Sequence, residues 1–260
     1  MFPLSDDNPH NITPTVTWTM MGLCIFAYLW QISLDEVSLR ASILALGVVP
    51  STLIGDAKLP PEIELISPWA TVFTSMFLHG GFMHLGGNML YLWIFGDNIE
   101  AAMGWKRFLI FYLVCGVAAA LAQSLVNPTS NIPMIGASGA ISGVLGAYLL
   151  LYPRATVRVL VFPIGIIGVP AVVVLGFWFV MQLFSSAGAS GDGGGVAYLA
   201  HIGGFVAGLA LVPFLRRDNV PLFAKARHKA FYREPPVRNP EARKRGGQGP
   251  WGRRPGPWDK

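Results

Sequence analysis

Six uncharged apolar runs dominate the chain: Thr15–Leu34, Phe82–Phe95, Phe108–Val126, Gly136–Tyr152, Val159–Phe184 and Val196–Leu215. Wound as an α-helix, a run near 20 residues reaches about 30 Å, the thickness of a bilayer's hydrocarbon core. Lipid offers no partners to backbone N–H and C=O groups, so segments of this kind cross as helices. Only 13% of the residues are charged, against about a quarter in a soluble domain. The expected fold is an all-α membrane protein, a polytopic bundle of six transmembrane helices. Residues 15–218 form the membrane domain, between a terminal segment 1–14 and a tail 219–260. Cys24 and Cys115 fall inside apolar runs and read as small packing residues.

Charge sets the expected orientation. With six crossings, the N-terminus, the second and fourth loops and the tail share one side. That side holds 17 Lys and Arg, including Lys106, Arg107, Arg154 and Arg158, and the other side holds only Arg40 and Lys58. Positive residues collect in the cytoplasm, so both termini are expected there. No Lys or Arg precedes the first run, which reads as a retained helix and not as a cleaved signal or an Arg-rich presequence. The compact six-helix layout suggests a multi-pass protein of the bacterial cytoplasmic membrane.

The connections carry their own signals. The first loop, from Asp35 to about Trp69, is long and partly apolar, which predicts short interfacial helices. Trp18, Trp69 and Trp105 read as interfacial anchors. The tail is rich in Pro, Gly and Arg and is expected to be disordered and held near anionic lipid. It reads as a topology determinant, with no nucleic-acid partner expected. No sequence feature specifies an oligomeric state.

Polar groups inside the runs are the functional candidates, because lipid makes them costly. No Asp or Glu occurs between Glu100 and Asp192. Ser138 precedes Arg154 by 16 residues, His201 precedes Arg216 by 15, and His84 precedes Glu100 by 16. All three therefore sit about 22–24 Å above the inner boundary, some 6–8 Å below the outer surface of a core about 30 Å thick. Asn88 lies one turn deeper than His84 on the same face.

This set suits acyl transfer. A serine hydroxyl becomes a nucleophile when a base takes its proton, and neutral histidine does so near pH 7. Ser138 and His201 form the candidate dyad. No carboxylate is at hand to orient the imidazole, so packing must hold it. Ser138 opens a helix, whose free N–H groups favour an oxyanion, and His84 and Asn88 add donors. Gly136 and Gly139 flank the serine and permit close approach of a substrate backbone. The spacings Gly139–Gly143 and Gly204–Gly208 bring two helices close together, as a Ser138–His201 bond requires. His79 reads as structural. Nothing in the chain calls for a metal or cofactor.

These residues resemble the rhomboid family of intramembrane serine proteases. The segment His79-Gly80-Gly81-Phe82-Met83-His84-Leu85-Gly86-Gly87-Asn88 is similar to the family's His-x-x-x-Asn element with its upstream histidine. Gly136-Ala137-Ser138-Gly139 resembles its Gly-x-Ser-Gly motif, and Ala200-His201-Ile202-Gly203-Gly204 its Ala-His-x-x-Gly motif. Gly96 and Glu100 resemble a Gly-x-x-x-Glu element. The resemblance covers about residues 15–215. It implies Ser138 as nucleophile, His201 as base, and His84 and Asn88 at the oxyanion. It implies transmembrane proteins as substrates, entering past the fifth helix, with the fifth loop as a cap. The Gly/Ser-rich stretch from Ser185 to Gly195 suits such a lid, and Pro163 and Pro170 are expected to disturb the start of the fifth helix.

Two positions depart from the pattern. Trp69-Ala70 stands where members often carry Trp-Arg, and Ser142 where many carry an aromatic residue stacked on the histidine. Ser142 is also a second candidate hydroxyl. Other hydrolytic signatures are missing: Ala140 breaks a lipase elbow, no His-Glu-x-x-His occurs, and Asp97 and Asp192 read as loop residues. A non-catalytic relative that binds membrane helices is the alternative reading. A transporter would need paired broken helices or a buried acid, and neither is evident.

Overall fold

The computed structural model describes residues 2–9, 11–188 and 197–224. Strand β1 (Phe2–Asp6) precedes helix α1 (Thr15–Ile32). The first loop folds into α2 (Glu36–Leu46), the single turn α3 (Pro50–Leu53) and α4 (Pro68–Thr74), which runs into a 3₁₀ turn, Ser75–Phe77. Next come α5 (Phe82–Met103), α6 (Trp105–Val126) and α7 (Ser138–Leu151). A hairpin of β2 (Thr156–Val161) and β3 (Gly165–Pro170) leads to α8 (Ala171–Gly188), and α9 (Tyr198–Leu215) follows. Among the described residues, α1, α6 and α9 have the length and apolarity to cross a membrane.

Helix α7 is the centre of the bundle. Every residue from Gly139 to Tyr148 is buried, and Leu145, Tyr148 and Leu151 are among the largest fully enclosed side chains. A helix buried on every face needs neighbours all round, and α5, α6, α8 and α9 supply them. The approach of α9 is the tightest. A Cβ at Gly204 would collide with the Gly139 carbonyl oxygen, and one at Gly208 with that of Gly143. Gly146 in turn faces the Phe205 carbonyl.

Helix α1 is fastened through its N-terminus. Pro14 precedes it and supplies no side-chain cap. The buried Glu100 carboxylate of α5 takes that role, accepting from Val16 N at 3.0 Å, Thr17 N at 2.8 Å and Thr17 Oγ1 at 2.8 Å. A carboxylate at unpaired first-turn N–H groups also opposes the helix dipole. Gly96, one turn earlier, leaves room for Thr17: a Cβ there would lie 3.1 Å from Thr17 Cγ2. In the loop after α1, Asp35 caps α2 through Val37 N and Ser38 N. The Ser38 hydroxyl beside the Asp35 carboxyl holds it below the usual carboxylate range.

Several expectations need correction. The fold is not purely helical: β1, β2 and β3 form an antiparallel sheet in that order. The run Val159–Phe184 is not one helix, because Thr156–Val161 alternates β-branched residues whose Val157 and Val159 are buried, a period-2 pattern. Pro163 lies in the hairpin turn and Pro170 ends β3, so neither falls within α8. The segment before α1 is also part of the packed structure. Its Asp6 accepts from Tyr148 Oη at 2.6 Å and Asn98 Nδ2 at 3.0 Å. Asp97 lies on α5 and not in a loop.

The tail begins with order. Phe223 N and Ala224 N donate to the carbonyls of Leu150 and Leu151, which end α7 and have no helical partner of their own. Residues 225–260, and with them most of the expected disordered tail, lie outside the described residues. So do residues 189–195 of the expected lid, whose Ser185–Gly188 belong to α8. Trp18, Trp69 and Trp105 are all exposed.

The glycine contacts give a paired prediction. Gly208→Ala forces α9 off α7 and lowers stability by about 1–3 kcal/mol, as overpacking does. Gly22→Ala, where nothing lies within 4 Å, leaves stability unchanged or raises it slightly. Thermal unfolding of the purified protein in detergent compares the two; equal effects would refute the backbone contact.

Candidate active site

Ser138 is the first residue of α7, and the segment that delivers it is irregular backbone. Such backbone is tolerated at membrane depth only where protein satisfies it. Here the first loop does so. Val48 and Met134 exchange two backbone bonds, at 3.0 and 2.7 Å, and Gly136 N donates to Ser75 O at 2.8 Å. Nearer the end of α6, Ser51 N donates to Ser130 O at 3.0 Å, and Ser51 Oγ to Asn131 Oδ1 at 2.7 Å. The first intrahelical bond of α7 runs from Ile141 N to Ala137 O. The N–H groups of Ser138, Gly139 and Ala140 therefore have no acceptor within the helix.

His201 is the fourth residue of α9, in its first turn. The register set by the glycine pairs brings its Nε2 to 2.8 Å from Ser138 Oγ. Its Nδ1 lies 2.8 Å from Gln182 Oε1 on α8. An amide oxygen only accepts, so Nδ1 carries the ring proton and Nε2 accepts from the serine hydroxyl. Trp178, one turn before Gln182, lies across the His201 ring with centroids 5.9 Å apart and planes tilted by 35°. Sequence reasoning singled out neither residue. The only signal for Gln182 was a polar side chain in an otherwise apolar run.

His84 stands in the first turn of α5, open to the surface. Gly80 N donates to its Nδ1 at 3.3 Å, so in the neutral ring the proton is on Nε2. That Nε2 points toward Gly136: a Cβ there would lie 2.7 Å from it and 3.7 Å from Ser138 Oγ. Gly136 also has φ +124°, a conformation that side-chain-bearing residues rarely adopt. Asn88 is buried one turn below His84, and its Nδ2 has no partner among the described residues. Gly139 passes close to Ala119 of α6 and to Gly204.

Ser142 and His79 have other commitments. The Ser142 hydroxyl donates to the Ser138 carbonyl at 2.6 Å, the common back-bond of a serine within a helix, and the side chain is buried. His79 Nδ1 donates to Phe77 O at 3.1 Å, and its backbone N–H to Gln31 Oε1 of α1 at 2.9 Å. Among the described residues no cluster of His, Cys, Asp or Glu has the makings of a metal site.

A bundle of apolar helices with a hydrogen-bonded serine and histidine at adjoining helix starts defines a class: an integral membrane protein with the makings of a serine hydrolase. The rhomboid-domain family model matches residues 67–218, more than half of the chain, and the protein belongs to the rhomboid family. It is 33% identical over 203 residues to the rhomboid protease GluP of Bacillus subtilis, a match covering 77% of this chain and 36% of that one. To the mitochondrial rhomboid protein 1 of Saccharomyces cerevisiae it is 33% identical over 153 residues, 56% of this chain and 42% of the relative. A rhomboid-type serine protease 2 of Emericella nidulans is 29% identical over 150 residues, 55% of this chain and 26% of that one. The matched stretch is thus less than half the length of each of these relatives.

The Gly136 geometry is testable by itself. Gly136→Ala meets both a strained φ and the His84 ring, and lowers stability by about 1–3 kcal/mol in thermal unfolding. In the His84→Ala background the steric part of that loss disappears. A Gly136→Ala protein as stable as the unmodified one would contradict the packing described.

Proposed function

We propose that the protein is an active intramembrane serine endopeptidase that cuts the transmembrane segments of other membrane proteins with the Ser138–His201 dyad. In this reading α1, α5, α6, α7, α8 and α9 all cross the bilayer, both termini are cytoplasmic, and the dyad lies toward the outer leaflet. The charge asymmetry of 17 Lys and Arg against 2 supports that orientation. The observation that carries the function is the 2.8 Å Ser138 Oγ–His201 Nε2 hydrogen bond within the family's motifs.

The mechanism follows from the groups present. His201 Nε2 takes the hydroxyl proton as Ser138 Oγ attacks the scissile carbonyl carbon. The carbonyl oxygen becomes an oxyanion, facing the free N–H groups at the start of α7, His84 Nε2–H and Asn88 Nδ2. The uncommitted buried Nδ2 of Asn88 favours this role, since a buried donor without an acceptor is costly. The tetrahedral intermediate collapses, the C–N bond breaks, and His201 gives its proton to the departing amine. Water then attacks the acyl-serine, with His201 as base again, and releases the acid product.

A cavity of about 50 Å³ adjoins Ser138 and is walled by Gly116, Ala119, Ala120 and Gly139. Val48, Val72, Met76, Met134 and Ile135 also line it, and a space of this volume fits only a small substrate side chain beside the cut bond.

Fluorophosphonate labelling in detergent and cleavage of a reconstituted transmembrane substrate test the reading. Ser138→Ala and His201→Ala abolish both signals while the proteins still fold. Ser142→Ala keeps both within about twofold, because its hydroxyl serves only a backbone bond of about 1 kcal/mol. His84→Ala and Asn88→Ala each slow cleavage by about 10- to 1,000-fold, the range for a single oxyanion donor. Full cleavage by Ser138→Ala would end the proposal.

A further inference from the structure

A histidine base needs more than a nearby serine. Its imidazole has two neutral tautomers, and only the one protonated at Nδ1 leaves a lone pair on Nε2 for the hydroxyl proton. Serine hydrolases with a triad use a buried carboxylate to select that tautomer and to hold the ring. No Asp or Glu lies between Glu100 and Asp192. Yet the Nδ1 of His201 is not without a partner: Gln182 Oε1 sits 2.8 Å from it.

Gln182 is not an incidental surface group. It is half-buried on a helix whose other residues from Ala171 to Phe184 are apolar, and a polar side chain there is favourable only with a partner. Trp178 is four residues earlier and so on the same face of α8. It too contacts the His201 ring, and it packs on Phe205, one turn beyond His201, at 6.0 Å. Two successive turns of α8 thus meet the imidazole, one at its edge and one at its face. The neighbouring position on α7, Ser142, offers only a small side chain bonded to its own helix.

We infer that Gln182 is the positioning residue of the dyad, accepting the Nδ1–H of His201 in the place a triad gives to a carboxylate. This rests on the reading of Ser138 and His201 as nucleophile and base. The amide selects the tautomer and the ring orientation but carries no charge to stabilise the imidazolium. Since Gln182 and Trp178 both belong to α8, the base is organised only while α8 is seated against α9. The titratable group facing His201 from the other elements is His84 of α5. Helices α7 and α8 carry no ionisable side chain but Tyr148, near the far end of α7, and α6 has charges only at Lys106 and Arg107, at its distant end.

The test follows fluorophosphonate labelling rate against pH, using the full chain in detergent, with thermal unfolding recorded for each variant. Gln182→Met keeps the length and apolar fit but removes the acceptor. It slows labelling by about 10- to 100-fold, a part of the 10²–10⁴ that a general base contributes. Gln182→Leu reads the same contact should the methionine protein not fold. Gln182→Glu restores the acceptor: it recovers most of the rate, and a carboxylate beside Nδ1–H stabilises the imidazolium, so the acid-side limb, set by deprotonation of His201, moves to higher pH. A methionine or leucine variant that labels at the unmodified rate overturns the inference, as does a glutamate variant no faster than methionine. Controls separate this from the underlying reading. If Ser138→Ala and His201→Ala label normally, the dyad itself falls and takes Gln182 with it. If both are silent while Gln182→Met labels normally, only the role of Gln182 falls.

Discussion

The contact between the α7 and α9 backbones determines where everything else in the bundle can lie. Membrane helices gain little from burying apolar side chains against one another, because lipid is as apolar as they are. What remains is close packing, and two glycine pairs, Gly139 with Gly204 and Gly143 with Gly208, let the chains touch without an intervening Cβ. Ser138 is one residue before the first of these glycines on α7, and His201 is three before its partner on α9. The 2.8 Å bond between them is a consequence of that register. A slip of one helical turn would separate them by about 5 Å.

A second constraint follows from the first. Fourteen residues make α7 about 21 Å long, too short to cross the hydrocarbon core by itself. In the proposed topology its start lies below the outer surface, and the chain reaches it as irregular backbone. The first loop supplies hydrogen bonds to that backbone from Val48, Ser51 and Ser75, the partners that lipid would not offer residues 130–136. At the other end the problem repeats. The Leu150 and Leu151 carbonyls that close α7 are met by Phe223 N and Ala224 N, and the Tyr148 hydroxyl by Asp6. Segments flanking the bundle in sequence thus complete its central helix.

This division explains which features were legible in the sequence. Apolar run length and the spacing of polar residues from the charged helix ends identified the long helices and put Ser138, His201 and His84 at one level. Each lies in the first turn of its helix. The hairpin was hidden because Val159–Val161 is apolar and joins the apolar start of α8 with no charged break after Arg158. The docking of Asp6 and Ala224 depends on contacts across more than 70 residues, which no local pattern encodes. Gln182 could be seen as polar, but the face of α8 it shares with Trp178 has no meaning until α9 is in place.

The absence of a carboxylate at Nδ1 has a physical logic in this setting. A buried aspartate beside His201 would stabilise the imidazolium strongly, but its own desolvation would cost several kcal/mol whenever the base is neutral. An amide forms the same hydrogen bond to Nδ1–H at far smaller desolvation cost. The consequence is a weaker base whose geometry is still defined. It also places the orienting group on α8, which meets α9 through stacked rings, Phe179 on Phe205 at 4.4 Å and Trp178 on Phe205 at 6.0 Å, and, among the described residues, through no shared glycine contact of the kind that joins α7 to α9. Ring contacts can be remade after a displacement far more easily than a backbone seam. In the proposed mechanism the rigid pair α7–α9 holds Ser138 and His201, and the less tightly bound α8 carries the residues that orient the base.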